Sequence, residues 1–164
     1  MLEELRGLGF RRALMAEDAV NSRARAIVKV DAALGILMMS VYIGFERLGG
    51  GWSCQLLITR SGLADPNSTI PKNELQSLCS GSNLGWTVEK DLENWVFSKI
   101  VCSDSTIALC WTKAEMKPLS LFHKNRVIQI RRVTLAEQLD PVCTEENAVD
   151  VYTRPEKVSP SDVM

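Results

Sequence analysis

Between Ile27 and Thr59 the chain writes three apolar segments whose connections are too short for any crossover, and this limits the fold more than any other feature. Ile27-Val28-Lys29-Val30-Asp31 alternates as a strand does and ends on a carboxylate. Ile36 to Phe45 is almost continuously apolar, as expected of a strand buried on both faces. Gly49, Gly50 and Gly51 form a hairpin loop before a third strand, Trp52 to Thr59. Strands joined this tightly must be antiparallel neighbours.

Beyond them the pattern changes to mixed α/β. Ser61 to Pro71 reads as loop, and Ser68, Thr69 and Pro71 supply helix-start chemistry for a helix carrying Glu74, Leu75, Leu78, Cys79 and Trp86. Gly81 and Gly85 weaken it and leave its far half open to a break. Val96 to Val101 is a fourth strand, closed by Ser103-Asp104-Ser105, and Thr106 to Trp111 follows as a capped short helix. From Pro118 a longer helix places Leu119, Phe122, Val127, Ile130 and Val133 on one side and Lys124, Arg126, Arg131 and Arg132 elsewhere. A fifth strand is expected over Pro141 to Thr144, and a last helix start around Asp150. Residues 1–25 read as a connector, 26–155 as one domain and 156–164 as a tail.

Charge and cysteine content narrow the chemistry. The net charge of −1 hides an asymmetry: Trp111 to Thr134 carries six bases and only Glu115 as an acid, whereas Leu135 to Met164 carries seven acids and two bases. A basic face beside an acidic end suits a protein that grips phosphates and also gathers carboxylates. Five cysteines without a Cys-x-x-Cys pair imply reduced thiols, hence a cytoplasmic or nuclear compartment. The single histidine, His123, excludes a multi-histidine metal site and argues against a Ser-His-Asp hydrolase. Ala32 to Phe45, the longest apolar run, is too short to span a membrane. Asp31, Glu74, Asp104 and Asp150 all fall at ends of elements, and a carboxylate at the end of a central strand sits where open α/β sheets place ligands.

Several segments also carry a resemblance. Thr69-Ile70-Pro71-Lys72-Asn73-Glu74-Leu75, Ser103-Asp104-Ser105-Thr106-Ile107-Ala108-Leu109-Cys110-Trp111, Phe122-His123-Lys124-Asn125-Arg126-Val127 and Glu146-Asn147-Ala148-Val149-Asp150-Val151-Tyr152-Thr153-Arg154-Pro155 occur in this order. Together they resemble the ribonuclease H-like domain of BEL/Pao long-terminal-repeat retrotransposon polyproteins, from about Val28 to Pro155. The resemblance implies a five-stranded mixed sheet, its first three strands antiparallel, flanked by helices. It further implies an endonuclease that uses two Mg²⁺ ions, with Mn²⁺ as a substitute, to cleave the RNA strand of RNA/DNA hybrids.

By that resemblance Asp31 bridges both ions, Glu74 and Asp104 hold one, and Asp150 holds the other. Lys124, Arg126, Arg131 and Arg132 would bind nucleic-acid phosphates, and a reverse transcriptase domain would be a partner. The chain itself, starting at Met1, is expected to carry no polymerase domain. Val149 and Tyr152 stand where the family has small residues, so Tyr152 is expected to point outward if Asp150 is to serve. The alternative is a catalytically degenerate nucleic-acid-binding or interaction module. A peptidase reading fails because Asp104-Ser105-Thr106 lacks the glycine of an aspartic peptidase turn.

Overall fold

The computed structural model describes residues 19–153, with residues 20–23, 151 and 152 described by backbone alone. Five strands form one sheet: β1 (Ala19–Ala33), β2 (Ile36–Arg47), β3 (Trp52–Leu63), β4 (Val96–Ser103) and β5 (Leu139–Pro141), in the order β3-β2-β1-β4-β5. β1 pairs antiparallel with β2, and β2 antiparallel with β3, whereas β1/β4 and β4/β5 are parallel. Among the described residues the helices are α1 (Ile70–Asp91), α2 (Thr106–Lys113), α3 (Leu121–Val133) and α4 (Asp150–Thr153). β1 starts at Ala19, well ahead of the alternation at Ile27, and lies at the centre of the sheet.

The core lies between one face of this sheet and the α1/α3 layer. Val28 and Val30 of β1, Val41 of β2 and Val101 of β4 are buried there with Leu75, Leu78, Val127 and Ile130. Contrary to the sequence expectation, α1 runs unbroken through Gly81 and Gly85. The two glycines are contact points. A methyl group at position 81 would lie 2.2 Å from Val30 Cγ1, and one at position 85 would lie 2.6 Å from Val28 Cγ2. The helix accepts the propensity loss because its backbone rests directly on β1.

Two boundaries differ from expectation. α3 begins at Leu121, with Ser120 as its N-cap residue. β5 is Leu139–Pro141, and Thr144–Glu146 forms a 3-10 turn. Leu139 anchors the strand because it is the buried residue of the segment, and Pro141 ends the ladder because proline has no N–H to donate.

One charge sits in the α1-facing side of β4. The Lys99 side chain is fully buried, donates to Val133 O at 2.5 Å and pairs with Glu89 at 3.2 Å. Burial pulls the Lys99 pKa down, and Glu89 opposes the shift. Glu89→Ala should therefore cost about 3 kcal/mol, since a buried cation remains without its counter-charge. Lys99→Met, which removes that charge and keeps the aliphatic stem, should cost less. Urea titrations of both variants check the order, and the reverse order would mean that Glu89 contributes little to holding Lys99.

Candidate metal centre

Asp31 and Asp104 are neighbours because two parallel strands end together. Val30 is in register with Ser103, so the next residue of each chain emerges at the same end of the sheet. Side chains alternate along β1, so Asp31 points to the face opposite Val30 and away from α1. Ser105 starts α2 by accepting the Ala108 N–H at 3.2 Å, which turns the chain sharply after Asp104.

Asp150 arrives from a distant segment that is fastened to both strands. Val142 N donates to Ser103 O at 3.1 Å, and Thr144 Oγ1 to Asp104 Oδ2 at 3.1 Å. Asn147 Nδ2 donates to Val30 O at 3.0 Å and reaches Asp104 Oδ1 at 3.5 Å. Lys29 Nζ donates to Glu146 O at 2.5 Å. Thr153 Oγ1 donates to Asp31 Oδ2 and lies 3.0 Å from Asp150 O. The outcome is one carboxylate oxygen each from Asp31, Asp104 and Asp150, all within 4.8 Å of one another.

The electrostatics of this cluster are unfavourable without a cation. Asp31 is only 4% exposed, and burial pushes its pKa up. The hydrogen bond from Thr153 opposes the rise, the charge of Asp104 adds to it, the Ala32 N–H lowers it and Asp150 adds a last increment. Three converging carboxylate oxygens with mutual repulsion fit a hard divalent cation, which takes oxygen ligands.

Glu74 does not join this group. Its Oε2 accepts the Ser105 hydroxyl at 2.5 Å, beside the cluster, so one serine both caps α2 and holds Glu74. Ser105→Ala should cost about 1–2 kcal/mol through the lost cap. Thermal unfolding measures that cost, and an unchanged melting temperature would show that the cap contributes nothing.

Neither do the four bases of α3 form one face. Arg126 lies on the α1 side, where its Nε donates to Gln76 Oε1 and its guanidinium covers the Phe122 ring at 3.5 Å. Lys124, Arg131 and Arg132 line a groove on the other side. Arg131 is fixed there by hydrogen bonds to Thr112 O at 2.9 Å and Ala114 O at 2.7 Å, which close the C-terminal end of α2. Val149, next to Asp150, is fully buried, and the Tyr152 side chain lies outside the described residues.

Sequence reasoning overlooked the positioning set of Lys29, Thr144, Asn147 and Thr153. A signal did exist for Lys29, which shares the Asp31 face at the period of a strand. Asn147 is a buried amide within a polar segment, and no local pattern marks it. All five cysteines are free thiols, and among the described residues no helix is long and apolar enough to cross a membrane.

Comparison with solved structures shows the same architecture elsewhere. The N-terminal RNase H domain of rv2228c from Mycobacterium tuberculosis, solved as a fusion with maltose binding protein, superposes with a TM-score of 0.51 at 11% identity. That match covers 81% of this chain and 92% of the other. RNase H1 from the archaeon Halobacterium salinarum gives 0.42 at 12% identity, over 76% of this chain and 89% of its own. LC11-RNase H1, isolated from compost and solved in complex with an RNA/DNA hybrid, gives 0.47 at 13% identity, over 77% and 89%. No curated protein matches the sequence. The sheet order, the strand directions and the first of these likenesses make the fold RNase H-like. A family model described as the Pao retrotransposon-like RNaseH-like domain matches residues 1–105, a span that contains Asp31, Glu74 and Asp104, and the chain belongs to that family.

Proposed function

We propose that this domain is a divalent-metal-dependent endonuclease that cleaves the RNA strand of RNA/DNA hybrids, acting in a retroelement polyprotein beside a reverse transcriptase domain. The observation that carries the reading is the convergence of Asp31, Asp104 and Asp150, three carboxylates from three separate chain segments, at the end of the parallel strands. These three would hold two Mg²⁺ ions, or Mn²⁺ in their place, and Glu74 is the nearby carboxylate available as a fourth ligand. Such ions, when bound, lower the pKa of an attacking water and neutralise charge on the leaving oxygen.

The chain's own contribution is orientation. Thr153 holds one oxygen of Asp31, and Thr144 holds one oxygen of Asp104. Asn147 ties the Asp104 side chain to the β1 backbone, so the two strand ends cannot drift apart independently. Lys29 clamps the Glu146 carbonyl and thereby fixes the approach of the Asp150 segment. Partners of this kind typically account for about 10–100-fold in metal affinity or activity.

A labelled RNA/DNA hybrid tests the reading directly. With Mg²⁺ or Mn²⁺ the full chain should cut the RNA strand and leave the DNA strand and duplex DNA intact. Hybrid binding without cleavage under either metal would overturn catalysis and leave the binding-module alternative.

A further inference from the structure

The outer side of α3 takes no part in the proposed chemistry, yet it has a regular surface. Leu121 and Ile128 on the helix, and Leu135 just past its end, are exposed by 73%, 40% and 58%. Leu121 and Ile128 lie a heptad apart on the helix and so fall along one side, interleaved with Lys124, Arg131 and Arg132, and Leu135 follows where the chain leaves the helix. The opposite side holds buried Val127 and Ile130.

An open groove of about 550 Å³ runs along this stripe, lined by Met116, Lys117, Lys124, Ile128, Arg131 and Arg132. A second, of about 400 Å³, adjoins it at Arg131 and reaches Leu135. No Asp or Glu is among the lining residues of either. Arg131 presents a fixed charge, because its guanidinium is already bonded to the end of α2.

This combination discriminates among occupants. A phosphate backbone would satisfy the cations but would give the leucines and Ile128 nothing to bury against. A second copy of the chain docked through the same face would set cations against cations. An acidic amphipathic helix supplies both missing halves, apolar anchors at heptad spacing and flanking carboxylates. We propose that the outer side of α3 docks an acidic, amphipathic helix of a partner protein, with its apolar anchors over Ile128 and its carboxylates against Lys117, Lys124 and Arg132. The proposal does not depend on the nuclease reading.

The probe is a fluorescent synthetic helical peptide of about 21 residues, three heptads, with one Leu per heptad and Glu on both flanks. Its control has Lys in place of each Glu. Against the full chain at about 0.15 M salt, the acidic peptide should bind saturably and about 10-fold or more tighter than the control. Ile128→Asp, and separately Lys124→Glu with Arg132→Glu, should each weaken it by about the same factor, while circular dichroism shows the fold retained. An unlabelled RNA/DNA hybrid should not displace it. Absence of binding, equal binding of both peptides, or displacement by the hybrid would each overturn the proposal, the last by making this surface a nucleic-acid contact.

Discussion

Asp31→Asn is expected to abolish metal-dependent cleavage of the hybrid while making the metal-free protein more stable. Loss of a residue that only orients a metal ligand typically costs about 10–100-fold, so loss of a direct ligand at the end of the central strand should cost about 10³-fold or more. The stability effect has the opposite sign. Burial, with Asp104 and Asp150 close by, raises the folded pKa of Asp31 above its ordinary 3.8. Below that ordinary value the carboxyl is protonated in both states and carries no penalty. As the pH rises through the raised folded pKa, the group ionises beside two like charges and folding stability is lost.

Asn keeps the shape without the charge, so at neutral pH the variant should melt about 2–4 °C higher in chelator. Adding Mg²⁺ should raise the melting temperature of the natural chain and leave the variant unmoved, because only the former gains binding energy on folding. Metal-free melting curves from acid to neutral pH, with and without Mg²⁺, provide the check. A variant no more stable in chelator, and still stabilised by Mg²⁺, would remove Asp31 from the proposed centre.

Gly81→Ala should be the most damaging alanine substitution among the described glycines. The new carbon would meet Val30 Cγ1 at 2.2 Å, and Val30 is 1% exposed in the central strand. Overpacking of this kind costs about 1–3 kcal/mol and occasionally more, while the better helix propensity of Ala returns up to about 1 kcal/mol. A clash this close with a buried strand belongs at the upper end, so a net loss of about 2 kcal/mol and a fall in melting temperature of about 4–8 °C are expected. The damage should reach the site, because Val30 precedes Asp31 and its carbonyl accepts from Asn147. Mg²⁺ should therefore stabilise the variant less than the natural chain.

Gly62→Ala serves as the control: its new methyl would touch only Leu37, at 3.9 Å, on the edge strand β3. Its stability should stay within about 0.5 kcal/mol of the parent. If Gly81→Ala behaved the same way in urea, the seating of α1 on β1 would be wrong.

Much of this was legible because local rules and global fold agree. Short connections dictated the antiparallel order of the first three strands, and the Ser-Asp-Ser turn marked a strand end and a helix start together. Where the reading erred, a tertiary contact outweighed a local preference. Gly81 and Gly85 lower helix propensity, but the same absence of a side chain lets α1 lie against Val28 and Val30. Pro141 resembled the start of a strand, although the buried Leu139 anchors the segment.

The sequence by itself determined the element order and placed carboxylates at the ends of elements, because periodicity, turn chemistry and capping are properties of neighbouring residues. Only the tertiary structure decided which of those carboxylates share one space. Asp31 and Asp104 meet through the register of β1 against β4, and Asp150 meets them because Thr144, Asn147 and Thr153 reach across more than a hundred residues of chain to Val30 and Asp31 and some forty to Asp104. Glu74, equally well marked in the sequence, is drawn instead to Ser105. The four bases of α3 likewise looked equivalent in a list of charges, but one helix can present only part of itself to a neighbour. Packing against α1 turned Arg126 toward Phe122 and left Lys124, Arg131 and Arg132 along the open groove.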